Sequence, residues 1–384
     1  MRIAVVVCVY PPYRGGIGQV AQRQAGILAE QGHEIVVYCP AMDGERPGVD
    51  LVDGIPVHRV KPVLSYGNSA LVPQLFARMG RHDALFLHYP FFGGAEWAAL
   101  GARVRRIPYV AFFHMDVFGT GARGAFLGAY QRTIGPLVLR GGRTVLVSSE
   151  DYFRHSLQAR RVRHVEAAPY GIDTARWSPG PLSAADRARL GLEGEGPLVL
   201  FVGGMDTPHA FKGVPQLLDA VSASTRAGVR MRVALVGEGE LRAGFEARAR
   251  ELGLDEVVRF HGRVGEDDLV TLNRAADIGV LPSTTAEEAF GVVLIEAMAC
   301  STAVVASGLP GVRDVVGEGA EAGGLLVPPG DVPALRTALE SLVADGAIRE
   351  RLARQGLERV RARYSREVEG ARLARIVGRD LRPR

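Results

Sequence analysis

The chain has 384 residues, more than twice the ~150 of a typical domain, so two domains are expected rather than one small core. Its 47% hydrophobic and 23% charged residues exclude a disordered or collagen-like chain, and three cysteines (Cys8, Cys39, Cys300) without paired spacing support neither a disulfide framework nor a zinc cluster. The net charge of +4 hides an asymmetry: residues 1–180 carry 20 basic against 13 acidic side chains (+7), residues 181–345 carry 14 against 24 (−10), and residues 346–384 carry 12 against 5 (+7).

The β-branched run Ile3–Val9 reads as a buried strand. It is far shorter than the ~18 apolar residues that span a bilayer, and Tyr10-Pro11-Pro12-Tyr13 follows it instead of a small-residue cleavage site, so a cytoplasmic location is expected. A Gly-rich turn then leads into helical spacing over Val20–Ala29 and a second strand at Glu34–Cys39, the strand–helix–strand unit of a parallel sheet. Strands at Leu85–His88, Tyr109–His114 and Thr144–Ser148 continue the series, with helices near 70–80, 94–105 and 122–140. Between Trp177 and Pro197 the Pro/Gly/Glu-rich composition marks a connection. Strands then follow at Leu198–Val202, Arg232–Val236, Val257–His261, Ile278–Leu281, Ala303–Ser307 and Gly324–Val327, separated by helical patterns such as 214–223 and 242–252. The reading is α/β, two consecutive Rossmann-like domains, with no short-period repeat.

A parallel sheet binds ligands beyond the carboxyl ends of its strands. Four such loops carry chemistry. Gly15-Gly16-Ile17-Gly18 opens a helix whose free N–H groups suit a phosphate, though a tight turn also requires glycine; the Gly-x-Gly-x-x-Gly spacing of dinucleotide enzymes is absent. His114, with Asp116, closes the apolar run Tyr109–Phe113, where a structural histidine is the plainer alternative. The loop Gly203–Gly213 holds Lys212, one of only two lysines (with Lys61) among 46 basic residues, at the start of a helix where a compact charge fits a phosphate. Finally, Glu288-Ala289-Phe290-Gly291-Val292-Val293-Leu294-Ile295-Glu296 places two carboxylates two helical turns apart, suited to sugar hydroxyls, around backbone N–H groups suited to a diphosphate.

With these motifs in this order, joined by Tyr170-Gly171-Ile172-Asp173, Val236-Gly237-Glu238-Gly239 and Gly324–Asp331, the chain resembles family 4 glycosyltransferases of the GT-B fold over essentially its whole length. The resemblance implies two Rossmann-like domains facing each other across a cleft: an acceptor-binding domain at 1–177, a nucleotide-sugar-binding domain at 178–364, and a crossover helix at 365–384 returning to the N-terminal domain. It implies a retaining hexosyltransferase using a nucleoside diphosphate sugar as donor substrate, with no other cofactor. Carried over by position, Glu296 grips the ribose, Glu288 touches the donor sugar, Lys212 neutralises the leaving diphosphate, and Gly15, Gly16 and the amides of Phe290, Gly291, Val292 and Val293 add to that clamp. His114 sits over the donor sugar, and Arg263 and Val264 lie against the base. No Asp-x-Asp pair occurs, so no metal is implied.

Two positions depart from the family's pattern. An arginine is common where Gly204 stands; here the loop is longer and contains His209, which with Arg263 is a candidate for the missing charge. Ser301 and Ala303 stand where Gly and Pro are usual, at a helix-to-strand turn. A sugar-nucleotide epimerase of the same fold and a non-catalytic nucleotide-sugar-binding subunit are the alternative functions. The basic segments lack interleaved aromatics, so nucleic acid is disfavoured as a partner. The acceptor is expected to be a sugar, glycan or lipid-linked molecule. A positive N-terminal lobe, enlarged by Arg366, Arg372, Arg375, Arg379, Arg382 and Arg384, suggests peripheral attachment to the anionic inner face of the plasma membrane.

Overall fold

The computed structural model describes residues 1–13, 15–42 and 44–382. It forms two compact units, one comprising Met1–Tyr170 and the segment from Glu367 onward, the other Gly171–Arg366. The unit limits fall at 170/171 and 366/367, where the family resemblance implied 177/178 and 364/365.

In the first unit, β1 (Arg2–Val6), β2 (Glu34–Pro40), β3 (Gly48–Val52) and β4 (Ile55–Val60) precede a small hairpin, β5 (Leu64–Tyr66) and β6 (Ser69–Leu71). β7 (Ala84–Tyr89), β8 (Tyr109–Phe113), β9 (Val145–Val147) and β10 (Val165–Ala167) complete it. The large sheet runs β10-β9-β8-β7-β1-β2-β4-β3, parallel except for β3, which pairs antiparallel with β4 at the edge. The buried residues of β1, β7 and β8, including Val5, Phe86 and Phe112, leave both faces of the central strands covered, as a parallel sheet requires. The opening strand is shorter than the apolar run suggested: Val7–Val9 are buried but lie beyond the ladder. The β3–β4 hairpin is absent from the sequence reading. Its turn is Asp53-Gly54, both at positive φ (51° and 76°), the two-residue geometry that matches strand twist.

The helix Arg366–Asp380 packs on this first unit from Glu367 onward. Buried Glu369 accepts hydrogen bonds from Arg23 Nε (3.0 Å) and Gln24 Nε2 (2.8 Å), and Asp380 accepts one from Thr144 Oγ1 (2.9 Å). Arg375 and Arg379 both pair with Glu166, so part of the positive charge attributed to this segment is neutralised on the unit itself. Arg384 lies outside the described residues.

In the second unit, β11 (Leu198–Val202), β12 (Arg232–Val236), β13 (Val258–Gly262), β14 (Ile278–Leu281), β15 (Ala303–Ser307) and β16 (Gly324–Val327) form one parallel sheet in the order β13-β12-β11-β14-β15-β16. This 3-2-1-4-5-6 winding reverses direction between β11 and β14, and ligands bind such sheets at that reversal. One core layer gathers Phe201, Leu217, Leu235, Val305 and Leu339; a smaller one gathers Leu200, Val236 and Leu272 on the other face. At the turn into β15, Ser301 adopts φ 64°, the left-handed conformation for which glycine is the ordinary choice.

Candidate functional site

The two loops at the reversal point of the second sheet are tied to each other. Phe211 O, in the loop after β11, accepts hydrogen bonds from Thr284 N (2.7 Å) and Thr284 Oγ1 (3.1 Å) in the loop after β14. Gly213 sits at φ 78° with Pro282 O so close that a Cβ would run into it. Glycine there is what lets the two loops touch.

This contact brings together two residues that the sequence separates widely. Lys212 Nζ donates to Glu288 Oε2 at 2.7 Å, with the side chains only 15% and 9% exposed. Ser283 Oγ, fully buried, donates to the same carboxylate oxygen at 3.2 Å. The Lys212 ammonium also lies 5.4 Å from the centre of the Phe211 ring. An ammonium has three donors, and the carboxylate uses one of them. A Cβ on Gly203 would come 2.7 Å from Lys212 Cδ, so the bare backbone at 203 leaves the lysine stem its path.

From the loop after β14 the chain enters the helix Val292–Ala299, capped by Gly291 at φ 82°. A Cβ on Gly291 would meet Leu281 Cδ2 at 2.8 Å, so this turn too needs both the conformation and the small size of glycine. The N–H groups of Val292 and Val293 belong to the first turn, where helical partners are lacking, and the positive end of the helix dipole lies there. Phe290 is buried and packs edge-on to Tyr364 at 6.0 Å, so its ring serves the fold while its backbone serves the loop. Glu296 is half-buried on the same helix. Arg263 is exposed and Val264 half-buried just after β13, whose last residue, Gly262, has φ 67°. Gly204 and His209 lie in the loop after β11: a Cβ at 204 would meet the His209 ring, which is in contact with Asp206.

In the first unit, the loop after β1 reaches Gly15, the cap of the helix Gly16–Glu30. Gly16 has open space around its Cα, whereas a Cβ on Gly18 would stand 3.0 Å from Val9 O; Gly18 is therefore the glycine that the helix needs to approach the segment leaving β1. His114, at the end of β8, is 3% exposed. Its Nε2 shares a 2.9 Å hydrogen bond with His88 Nδ1, and its Nδ1 one of 2.7 Å with the Tyr170 hydroxyl. Burial, then the neighbouring His88 and Arg23, hold the His114 imidazole well below its ordinary pKa, and burial alone lowers that of His88 to about 3. Both rings are thus neutral near pH 7.

His88, Tyr170 and Ser283 complete these arrangements without having been singled out as site residues by their sequence. His88 was detectable in principle: it closes an apolar strand just as His114 does. The register pairs Tyr89 with Phe113, so the two histidines fall on one face. Asp116 accepts hydrogen bonds from Ser156 Oγ (3.0 Å) and Leu157 N (2.9 Å), which makes it an anchor of the segment after the helix Glu150–His155. Among the described residues, no group of three or more His, Cys, Asp or Glu side chains is arranged to hold a metal ion, and no helix is long and apolar enough to cross a membrane.

Comparison with known proteins bears on both units. Residues 15–202 match the family model described as glycosyl transferase 4-like domain, and residues 183–359 match that of glycosyl transferases group 1. A phosphatidyl-myo-inositol mannosyltransferase of Mycobacterium leprae is 31% identical, the alignment covering 98% of this chain and 96% of that protein. A D-inositol 3-phosphate glycosyltransferase of Kineococcus radiotolerans is also 31% identical, covering 90% of this chain and 86% of the relative. Among solved structures, Anabaena HepE in complex with UDP and glucose aligns with a TM-score of 0.76 at 19% identity, covering 99% of this chain and 100% of that one. Sucrose-phosphate synthase of Thermosynechococcus elongatus aligns with the same score at 24% identity, covering 98% of each chain.

Proposed function

The chain belongs to the family 4 glycosyltransferases of the GT-B fold, and from that membership we propose a retaining enzyme that moves a hexose from a nucleoside diphosphate sugar to an inositol-bearing acceptor. The observation that carries the donor half of this reading is the Lys212–Glu288 pair at the reversal point of the second sheet. Breaking the bond between sugar and diphosphate builds negative charge on the departing oxygen and positive charge on the ring. The donors of Lys212 not used by Glu288 meet the first charge, with the amides of Val292 and Val293 beside them. The Glu288 carboxylate, steadied by Ser283, faces the sugar. Glu296 holds the ribose hydroxyls, and Arg263 and Val264 flank the base. In the first unit, His114, neutral and fixed by His88 and Tyr170, is that unit's candidate for sugar recognition, and Gly15 and Gly16 are its candidates for phosphate recognition.

The acceptor half rests on the relatives, named as acting on phosphatidyl-myo-inositol and on D-inositol 3-phosphate, two molecules that share an inositol joined to a phosphate. The protein works without a divalent metal, because cationic and amide groups meet the diphosphate charge. It is cytoplasmic and attaches peripherally to the inner leaflet when the acceptor is a lipid. Exposed Phe126 and Leu137 on the helix Gly121–Gly141 and the arginines Arg103, Arg105 and Arg106 support that attachment.

The test is a screen of UDP-, GDP- and ADP-hexoses for thermal stabilisation, followed by transfer to phosphatidylinositol vesicles or to inositol 3-phosphate. A ligand that binds only the folded protein raises its melting temperature with occupancy. Stabilisation by one donor and transfer to either acceptor supports the reading; stabilisation without transfer to either overturns its acceptor half.

A further inference from the structure

Gly204 lies just beyond β11, and its backbone is not among those with positive φ. The conformation therefore does not demand glycine. Space does: a Cβ at 204 would stand 2.8 Å from His209 Nδ1, 3.0 Å from Cγ and 3.3 Å from Cβ of that histidine. The imidazole of His209 fills the volume into which a side chain at 204 would grow.

The ring is held there. Asp206 begins the short turn Thr207–Lys212, and its Oδ1 accepts from His209 N at 3.2 Å and contacts His209 Nδ1 as well. One carboxylate oxygen thus fixes both the backbone and the ring of the histidine. Nε2 has no hydrogen-bond partner among the described residues, and the side chain is 45% exposed. The Phe211 ring lies 6.2 Å from the imidazole and 5.4 Å from Lys212 Nζ, so the two cations flank one aromatic surface. The charged groups around this loop are predominantly acidic. Glu240 accepts from Thr207 N at 2.7 Å, Glu238 is paired with Arg242, and Lys212 is paired with Glu288. Nδ1 faces a carboxylate oxygen, so Nε2 donates to a diphosphate when the ring carries a hydrogen on both nitrogens.

We propose that His209, protonated and oriented by Asp206, is the second cation of the diphosphate site, acting with Lys212 in place of a side chain at position 204. The inference rests on the second unit being the donor site. A donor on each ring nitrogen requires the doubly protonated imidazole, so the contribution of His209 to nucleoside diphosphate affinity is larger at pH 6 than at pH 8.

Calorimetry with GDP, UDP and ADP at pH 6 and pH 8 tests it on the full chain, on His209→Ala, and on the double variant Gly204→Arg/His209→Ala. The ligand's own phosphate titrates alike with all three proteins, so differences between them belong to the protein. His209→Ala is expected to lose roughly tenfold in affinity at pH 6, the range of a charge-assisted hydrogen bond, and less at pH 8. The double variant, with the imidazole volume vacated for an arginine, is expected to recover affinity at both pH values. Binding by the parent protein that His209→Ala leaves unchanged at pH 6 overturns this inference alone. Failure of the parent to bind any of the three overturns the donor-site reading and the inference with it.

Discussion

Lys212 Nζ stands 2.7 Å from Glu288 Oε2, joining residues 76 positions apart in the loops that follow the adjacent strands β11 and β14. Both side chains are largely withdrawn from water, so removing either leaves the other's charge without a partner. Lys212→Ala should therefore reduce transfer by a hundredfold or more, corresponding to about 3 kcal/mol of barrier. Lys212→Arg should restore only part of it, since a planar fork does not replace a compact ammonium. Steady-state kinetics at saturating donor measures both; full activity in Lys212→Arg would show that the ammonium's shape is immaterial.

The two glutamates should separate in their effects. Glu288→Gln keeps the shape of the side chain but removes the charge proposed to face the sugar, so turnover should drop at least tenfold and far more than nucleoside diphosphate affinity changes. Glu296→Ala should weaken that affinity itself, by roughly tenfold for a lost bond to a carboxylate. Calorimetry of both variants with the nucleotide alone decides between these roles, and unchanged affinity in Glu296→Ala would remove the ribose assignment.

Much of this arrangement was legible in the sequence because it resides in strand ends. Five of the six strands of the second sheet coincide with the β-branched runs read from the sequence, and β13 is displaced by one residue. The loops that follow them hold Lys212 and Glu288. The hairpin Gly48–Val60 was missed because its first strand is an exposed edge without an apolar run; its clue was local, the Asp53-Gly54 turn. The contacts that fix the site were less legible still. Thr284 with Phe211, Gly213 with Pro282, and His88 with His114 are tertiary meetings between loops or adjacent strands, and neither periodicity nor spacing encodes which loop tips touch.

The buried histidines set a pH dependence of stability. With folded-state pKa values held below the unfolded value of ~6.5, His88 and His114 bind protons in the unfolded chain but not in the folded one. Their contribution is present above pH 6.5 and is lost as pH falls through and below it, by about 1 kcal/mol per pH unit for His88. Glu96, raised to about 7 by burial, acts in the opposite direction between pH 7 and 4.5. The comparison is therefore between variants: the stability of His88→Gln, followed by denaturant unfolding of the first unit at pH 7.5 and 5.5, should fall less with acidification than that of the parent. An identical fall would exclude His88 as a source of acid lability.

Peripheral attachment makes a separate prediction. Phe126 and Leu137, 66% and 67% exposed, lie three helical turns apart on one stripe of the helix Gly121–Gly141, which also carries Arg123, Arg132 and Arg140. The protein should sediment with vesicles containing phosphatidylinositol at low salt and detach above physiological ionic strength. Phe126→Asp/Leu137→Asp should reduce binding severalfold without affecting transfer to soluble inositol 3-phosphate. Equal sedimentation with neutral and anionic vesicles would exclude the electrostatic part of this account.

The most direct test of the central claim is the anomeric configuration of the product, determined by nuclear magnetic resonance after reaction of an α-linked nucleoside diphosphate hexose with the inositol-bearing acceptor in the presence of EDTA. An α-linked product formed at an undiminished rate is the predicted result. A β-linked product, or transfer that chelation abolishes and magnesium restores, would contradict a retaining enzyme whose diphosphate charge is met by Lys212 and backbone amides.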